Sequence, residues 1–223
     1  MIYAFKKGDR VQTLDEHIEK CLNTLSKIRN SKLWHEDFDY ELVKKVIVFH
    51  DIGKVFYQRD SDSLSFTGHE FISAYIFWKV FGESLTEENL ELMYLFPIIF
   101  HHHAMKIRGR GGRKGRLDAL KTTSIVSPNS EIIHELEKIL EKYTSQNYVT
   151  ITINVLRSLE TLKVVNLINK KIDAIWRKFH QEFAKKSLRL LLIMIICDYE
   201  GSKDRGTPTS FGKIIEGILK LYT

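Results

Sequence analysis

The sequence predicts an all-α protein that folds as a single helical bundle over residues 1–223. Apolar residues recur at steps of three and four through most of the chain, which is the period of amphipathic helices. The chain is 43% hydrophobic and 28% charged, as globular proteins are. No internal repeat and no linker interrupts the pattern, so one domain with one core is expected.

The first helix is recognised by an apolar face, with Thr13 or Asp15 as its cap. A second helix is expected from about Asp39 to Ile52, with Gly53 as its stop. The apolar face of the first helix consists of Leu14, Ile18, Cys21, Leu22, Leu25 and Ile28.

A third helix is expected from Thr67 or Gly68 to Gly82. A fourth should begin at Thr86 and reach His103, with Pro97 introducing a kink or a join. Residues 148–155 (YVTITINV) alternate like a strand but could equally lead into a helix. The remaining helical patterns cover residues 130–144, 156–175, 179–199 and 214–221.

Residues 108–116, RGRGGRKGR, interrupt the helices. Glycine and charged residues cannot pack a core, so this segment is expected to be a flexible basic surface loop. It is either a solvated connection or, beside a phosphodiesterase site, a clamp for nucleic-acid backbone. The candidate phosphate-binding residues are Arg108, Arg110, Arg113, Lys114 and Arg116.

Composition indicates a soluble, cytoplasmic protein. Two cysteines, Cys21 and Cys197, cannot build a disulfide framework. No stretch of signal-peptide length opens the chain, and the longest apolar run, Leu190–Cys197, is far short of the roughly 20 residues that span a bilayer. The net charge of +6 suits a polyanionic partner, but a solvated lysine-rich surface explains it equally well.

The dipeptide His50-Asp51 ends an apolar run and is the first candidate for chemistry. A carboxylate among apolar residues is costly unless a cation or donor satisfies it. By itself the pair is more simply a helix-end histidine with a capping aspartate.

Further histidines strengthen a metal interpretation. His17 lies on the apolar face of the first helix, where a buried core histidine is the simpler alternative. His69 lies at the start of the third helix, where an exposed N-terminal residue is the simpler alternative. The triplet His101-His102-His103 after an apolar run is hard to explain by packing, whereas imidazole binds transition metals readily. Asp198, after LLLIMIIC, is either a cap or a buried anion that needs a partner.

The order of these motifs, from His17 through HDIGK, GHEFISA and the paired histidines to Asp198, resembles the HD phosphohydrolase superfamily. It is most similar to the stand-alone HD nuclease of type I CRISPR systems, in which the helicase is a separate chain. The matching motifs span residues 17–202. The resemblance implies an HD-domain helical bundle.

The resemblance also implies two divalent metal ions, of Mn, Mg, Co, Ni or Fe. One would be held by His17, His50, Asp51 and Asp198. The other would be held by Asp51, His69 and two residues of the triplet. His102 with His101 is slightly preferred, and His103 is the alternative to His101. Asp51 and Lys54 would be catalytic, with Lys54 contacting the scissile phosphate.

The implied function is hydrolysis of phosphodiester bonds in single-stranded DNA, or in RNA, during CRISPR interference. The partners would be the interference complex and a separate helicase, since no GxxxxGK[ST] motor motif is present. No membrane partner is expected. The alternatives are an HD nucleotidase or cyclic-nucleotide phosphodiesterase, and a non-catalytic nucleic-acid-binding subunit.

Overall fold

The computed structural model describes residues 1–85, 87–102, 120, 125–179, 183–206 and 210–222. It confirms the all-α class, because helices dominate these residues and the strands form a single small hairpin. None of the described helices is both long and apolar enough to cross a membrane. The helices are α1 Leu14–Ile28, α2 Tyr40–Phe49, α3 His69–Phe81, α4 Glu88–Phe100, α5 Ser130–Glu141, α6 Gln146–Arg157, α7 Thr161–Lys178, α8 Phe183–Ser202 and α9 Ser210–Tyr222.

An antiparallel hairpin of β1, Tyr3–Lys7, and β2, Arg10–Thr13, precedes the helices and was not predicted. Gly8 and Asp9 form its two-residue loop, and Gly8 takes the left-handed conformation with a φ of 57°. Two-residue loops match the twist of the flanking strands when the backbone takes a positive φ, and this favours glycine. The hairpin buries Ile2 and Ala4 against the core.

Helix starts follow the side chains expected to cap them. Thr13 and Glu16 form a reciprocal capping box at α1, which selects Thr13 over Asp15 as the cap. Asp39 caps α2 by accepting a hydrogen bond from the Leu42 amide. The predicted stop at Gly53 is wrong, since α2 ends at Phe49 and the chain continues as a 3-10 helix, Ile52–Tyr57.

Gly53 is needed for a close approach rather than for a helix stop. A Cβ at this position would collide with the carbonyl oxygen of His69. The Gly53 amide donates to Ser73 Oγ at 2.8 Å, which pins the 3-10 segment to α3. The glycine therefore lets the chain after His50 lie directly against α3.

Helix α4 begins at Glu88, and the predicted start at Thr86 lies outside the described residues. A join at Pro97 is excluded because α4 runs over the proline, and a kink there stays a prediction. The helix ends at Phe100, with His101 as its C-cap, rather than at His103.

Residues 148–155 belong to helix α6, which settles the ambiguity between strand and helix. The residues that α6 buries, Val149, Thr152, Ile153 and Leu156, recur at helical spacing. Packing against α3 decides the outcome, since β-branched residues accept either backbone when one face is buried.

Helix α8 organises the core by packing against both α1 and α4. Helix α3 packs against the 3-10 segment and against α4, α6 and α7. The ends of α2 and α4, the start of α3 and the faces of α1 and α8 therefore converge. The basic segment 108–116 lies outside the described residues.

Candidate metal centre

Helices α1 and α8 bring His17 and Asp198 together. His17 is fully buried on the apolar face of α1, and its Nε2 lies 3.3 Å from Asp198 Oδ1. Asp198 follows a buried run of α8 and keeps 14% of its side chain exposed. The contact between the two helices thus places the His17 imidazole next to the Asp198 carboxylate.

His50 and Asp51 stand where α2 passes into the 3-10 helix. Asp51 is fully buried, and its Oδ2 lies 3.2 Å from His17 Nε2 and 3.5 Å from His50 Nε2. Side chains three residues apart eclipse in a 3-10 helix, which puts Lys54 beside Asp51. Lys54 Nζ donates to Asp51 Oδ2 at 2.6 Å and to the Ala4 carbonyl at 3.2 Å.

The other oxygen of Asp51 faces α3 and α4. His69, the first residue of α3, places Nε2 at 2.8 Å from Asp51 Oδ1. His102 Nε2 lies 3.3 Å from His69 Nε2, and the ring of His101 packs against those of His50 and His69.

Two groups of four potential ligands result, and Asp51 belongs to both. Within each group the ligand atoms lie within 4.8 Å of one another. Asp51 can bridge the groups because its two oxygens face different histidines. One group contains His17, His50, Asp51 and Asp198, and the other contains Asp51, His69, His101 and His102.

Three of the imidazoles have the orientation that metal-binding histidines take. Nδ1 of His50, His69 and His101 contacts the carbonyl three residues earlier, at 2.6, 2.5 and 2.8 Å. A proton on Nδ1 leaves the lone pair of Nε2 for the centre of the site.

The nitrogen spacing also fits a cation. Two nitrogens bound tetrahedrally to one ion lie about 3.3 Å apart, which is the separation of the His17–His50 and His69–His102 Nε2 pairs. His101 Nε2 is buried and has no hydrogen-bond partner among the described residues. Such an atom is rare in a folded core and is explained by a ligand that accepts its lone pair.

The electrostatics keep Asp51 and His101 in the protonation states that ligands need. Burial raises the pKa of Asp51, but Lys54 and the surrounding histidines outweigh it and hold the pKa well below its usual range. Burial and the neighbouring His50 lower the pKa of His101 to about 3. A carboxylate and a neutral imidazole are therefore present at neutral pH.

The structure thus brings together seven predicted ligands and Lys54. His103, and the basic residues from Arg108 to Arg116, lie outside the described residues. Sequence reasoning missed Ser73 and the supporting role of Ala4. The motif GHEFISA contains Ser73, but no pattern in it indicates a bond to Gly53.

Comparisons with known proteins give one family and two relatives. The HD domain family matches residues 14–140. A Methanocaldococcus jannaschii protein named CRISPR-associated endonuclease Cas3-HD is 28% identical over 213 residues, which cover 89% of this chain and 82% of the relative. A Pyrococcus furiosus protein of the same name is 25% identical over 241 residues, which cover 94% of this chain and 96% of the relative.

These matches confirm the resemblance to HD nucleases of CRISPR systems and the expected class of metal-dependent hydrolase. The family match includes every proposed ligand except Asp198, which α8 adds from beyond residue 140. The chain belongs to the HD domain family.

Proposed function

We propose that this protein is a metal-dependent nuclease that hydrolyses phosphodiester bonds in single-stranded DNA, and in RNA as a second substrate. The observation that carries the proposal is the pair of four-ligand groups joined by Asp51. Both relatives are named as CRISPR-associated endonucleases, which supports a nucleic-acid substrate.

We assign His17, His50, Asp51 and Asp198 to one divalent ion, and Asp51, His69, His101 and His102 to a second. Two such ions would neutralise phosphoryl oxygens and lower the pKa of an attacking water. The histidine-rich donor set suits Mn²⁺, Co²⁺, Ni²⁺ or Fe²⁺ better than Mg²⁺, which prefers oxygen ligands.

The chain's own groups prepare this chemistry. Asp51 bridges the groups as an anion, and Lys54 fixes its Oδ2 through the 2.6 Å contact. We propose that the Lys54 ammonium also stabilises the negative charge that develops on the phosphate. Because the Ala4 carbonyl holds the same ammonium, the hairpin sets its position.

The names of the two relatives support a CRISPR setting. We propose that the protein acts in CRISPR interference in the cytoplasm, beside a separate helicase and an interference complex. Two free, buried cysteines suit a reducing compartment. The basic residues from Arg108 to Arg116 would clamp the nucleic-acid backbone without reading its sequence.

A nuclease assay tests the proposal. Purified protein is incubated with linear and circular single strands in Mg²⁺, Mn²⁺, Co²⁺ or Ni²⁺, and products are followed over time. We expect cleavage that Asp51→Asn abolishes and that Asp173→Asn, an exposed aspartate of α7, leaves intact. Intact strands in every metal would overturn the proposal.

The other candidates give different outcomes in the same assay. Turnover of mononucleotides or cyclic nucleotides in preference to oligonucleotides would identify a nucleotidase or phosphodiesterase. Tight binding without cleavage in all four metals would identify a non-catalytic binding subunit.

A further inference from the structure

His17 is held differently from His50, His69 and His101. His50 and His101 follow helix ends, where the last carbonyls have no partner within the helix and can accept from Nδ1. His17 is the fourth residue of α1, where the helix itself occupies the preceding carbonyls. Within the described part of the chain, Cys21 Sγ lies 4.0 Å from its Nδ1.

A sulfur contact and close packing hold His17 where a backbone carbonyl holds His50 and His101. The Cys21 sulfur lies beside the imidazole, 3.7 Å from Nε2 and 4.0 Å from Nδ1. Gly201, in the last turn of α8, closes the Nδ1 edge of the ring. A Cβ at Gly201 would lie 2.8 Å from His17 Nδ1 and 2.5 Å from the Cys21 sulfur, so no larger residue fits without displacing one of them.

One face of α8 contacts both nitrogen edges of the His17 imidazole. Asp198 meets Nε2 at 3.3 Å, and Gly201, three residues later, meets the Nδ1 edge. The position of Gly201 is itself fixed, because Gln12 Nε2 donates to its carbonyl at 2.7 Å and Arg205 Nε donates to Gln12 Oε1. Glycine is unfavourable within a helix, so its use here is explained by the contact.

We propose that Gly201 and Cys21 are positioning residues that form a cradle for His17 and aim its Nε2 at the metal position that it would share with His50, Asp51 and Asp198. The inference rests on the proposed metal centre. Cys21 touches the ring through its sulfur, and Gly201 acts by having no side chain.

The test is Gly201→Ala, with Gly217→Ala as the matched control. Gly217 also lies in a helix, and a Cβ there has nothing within 4 Å. We expect Gly201→Ala to weaken Mn²⁺ binding by about 10–100-fold at one of two calorimetric sites, as displaced supporting groups do. Gly217→Ala should bind both ions as the parent protein does.

Removing the sulfur provides a rescue. Cys21→Ala deletes the atom that the new Cβ would strike first. The double variant Gly201→Ala/Cys21→Ala should therefore bind Mn²⁺ more tightly than Gly201→Ala alone, whereas Cys21→Ala alone should bind more weakly than the parent. The single Cys21→Ala protein also tests the cradle if Gly201→Ala does not fold.

Histidine-selective ¹⁵N NMR of the metal-free proteins separates this inference from the proposed function. Gly201→Ala should shift the His17 imidazole signals and leave those of His69 unchanged. Unchanged His17 signals, or normal Mn²⁺ affinity at both sites, would overturn the inference. Parent protein that binds none of Mg²⁺, Mn²⁺, Co²⁺ and Ni²⁺ while the His17 signals still shift would overturn the proposed metal centre and leave only the contact of Gly201 and Cys21 with the His17 ring.

Discussion

Lys54→Met is the sharpest probe of how Asp51 is held. Lys54 and Asp51 form a buried pair, with 4% and 0% of each residue exposed and 2.6 Å between Nζ and Oδ2. Methionine keeps most of the side-chain volume but removes the charge. In the metal-free protein the substitution leaves a buried carboxylate without its closest cation.

Breaking a buried pair by removing one partner costs about 3–5 kcal/mol. For a chain of this size, each kcal/mol changes the melting temperature by about 2–4 °C. The melting temperature of metal-free Lys54→Met should therefore fall by about 6–20 °C. Divalent cations should restore much of this loss, since they would neutralise Asp51 in place of the ammonium.

Thermal melts with EDTA and with saturating Mn²⁺ measure both quantities. The matched control is Lys20→Met, which breaks a 2.8 Å pair with Asp204 whose side chains are 42% and 67% exposed. Solvent screens such a pair, so its loss should move the melting temperature by no more than about 4 °C. Equal shifts for the two variants, or a Mn²⁺ response of Lys54→Met no larger than that of the parent, would refute the reasoning.

Two more predictions concern the support of the site and its pH dependence. Ser73→Ala leaves the buried Gly53 amide without its acceptor and should lower the free energy of unfolding in urea by about 1–3 kcal/mol. The control is Ser187→Ala, at an equally buried serine. Equal losses of stability in the two variants would contradict the role of Ser73. The lowered pKa of His101 means that, below about pH 6.5, the unfolded metal-free chain takes up a proton that the folded chain refuses. The contribution of His101 to the free energy of unfolding should therefore fall by about 1.4 kcal/mol per pH unit towards pH 3. Denaturation series at pH 7, 6 and 5 should show a steeper loss of stability for the parent than for His101→Gln. Parallel losses would refute the lowered pKa of His101.

Helices were predictable where one face is apolar and a cap is present. The α1 pattern predicted the helix and its buried apolar residues apart from Leu22, which is half-buried, because the solvent-facing residues contrast with them. The hairpin was missed although Gly8-Asp9 is a recognised two-residue loop signal. Its strands are short. The buried residues Ile2 and Ala4 alternate with Tyr3 and Phe5 over too few residues to predict a strand from the sequence.

The types of ligand were predictable because a charge or imidazole after an apolar run needs a partner. The supporting contacts were not, since they join residues far apart in sequence. Lys54 meets the Ala4 carbonyl, and Gly53 meets Ser73, through the packing of separate elements. No local period encodes either contact.

The histidine triplet illustrates why the sequence left two ligands open. Residues Leu92–Phe100 of α4 are all buried, so no polar face reveals which direction points to the core. His101 keeps helical dihedral angles, and each helical residue turns the side chain by about 100°. His101 consequently packs against His50, while His102 packs against His69, with ring centroids 5.3 and 5.0 Å apart. These two directions place His101 and His102 in one ligand group with Asp51, while His103, the alternative to His101, lies outside the described residues.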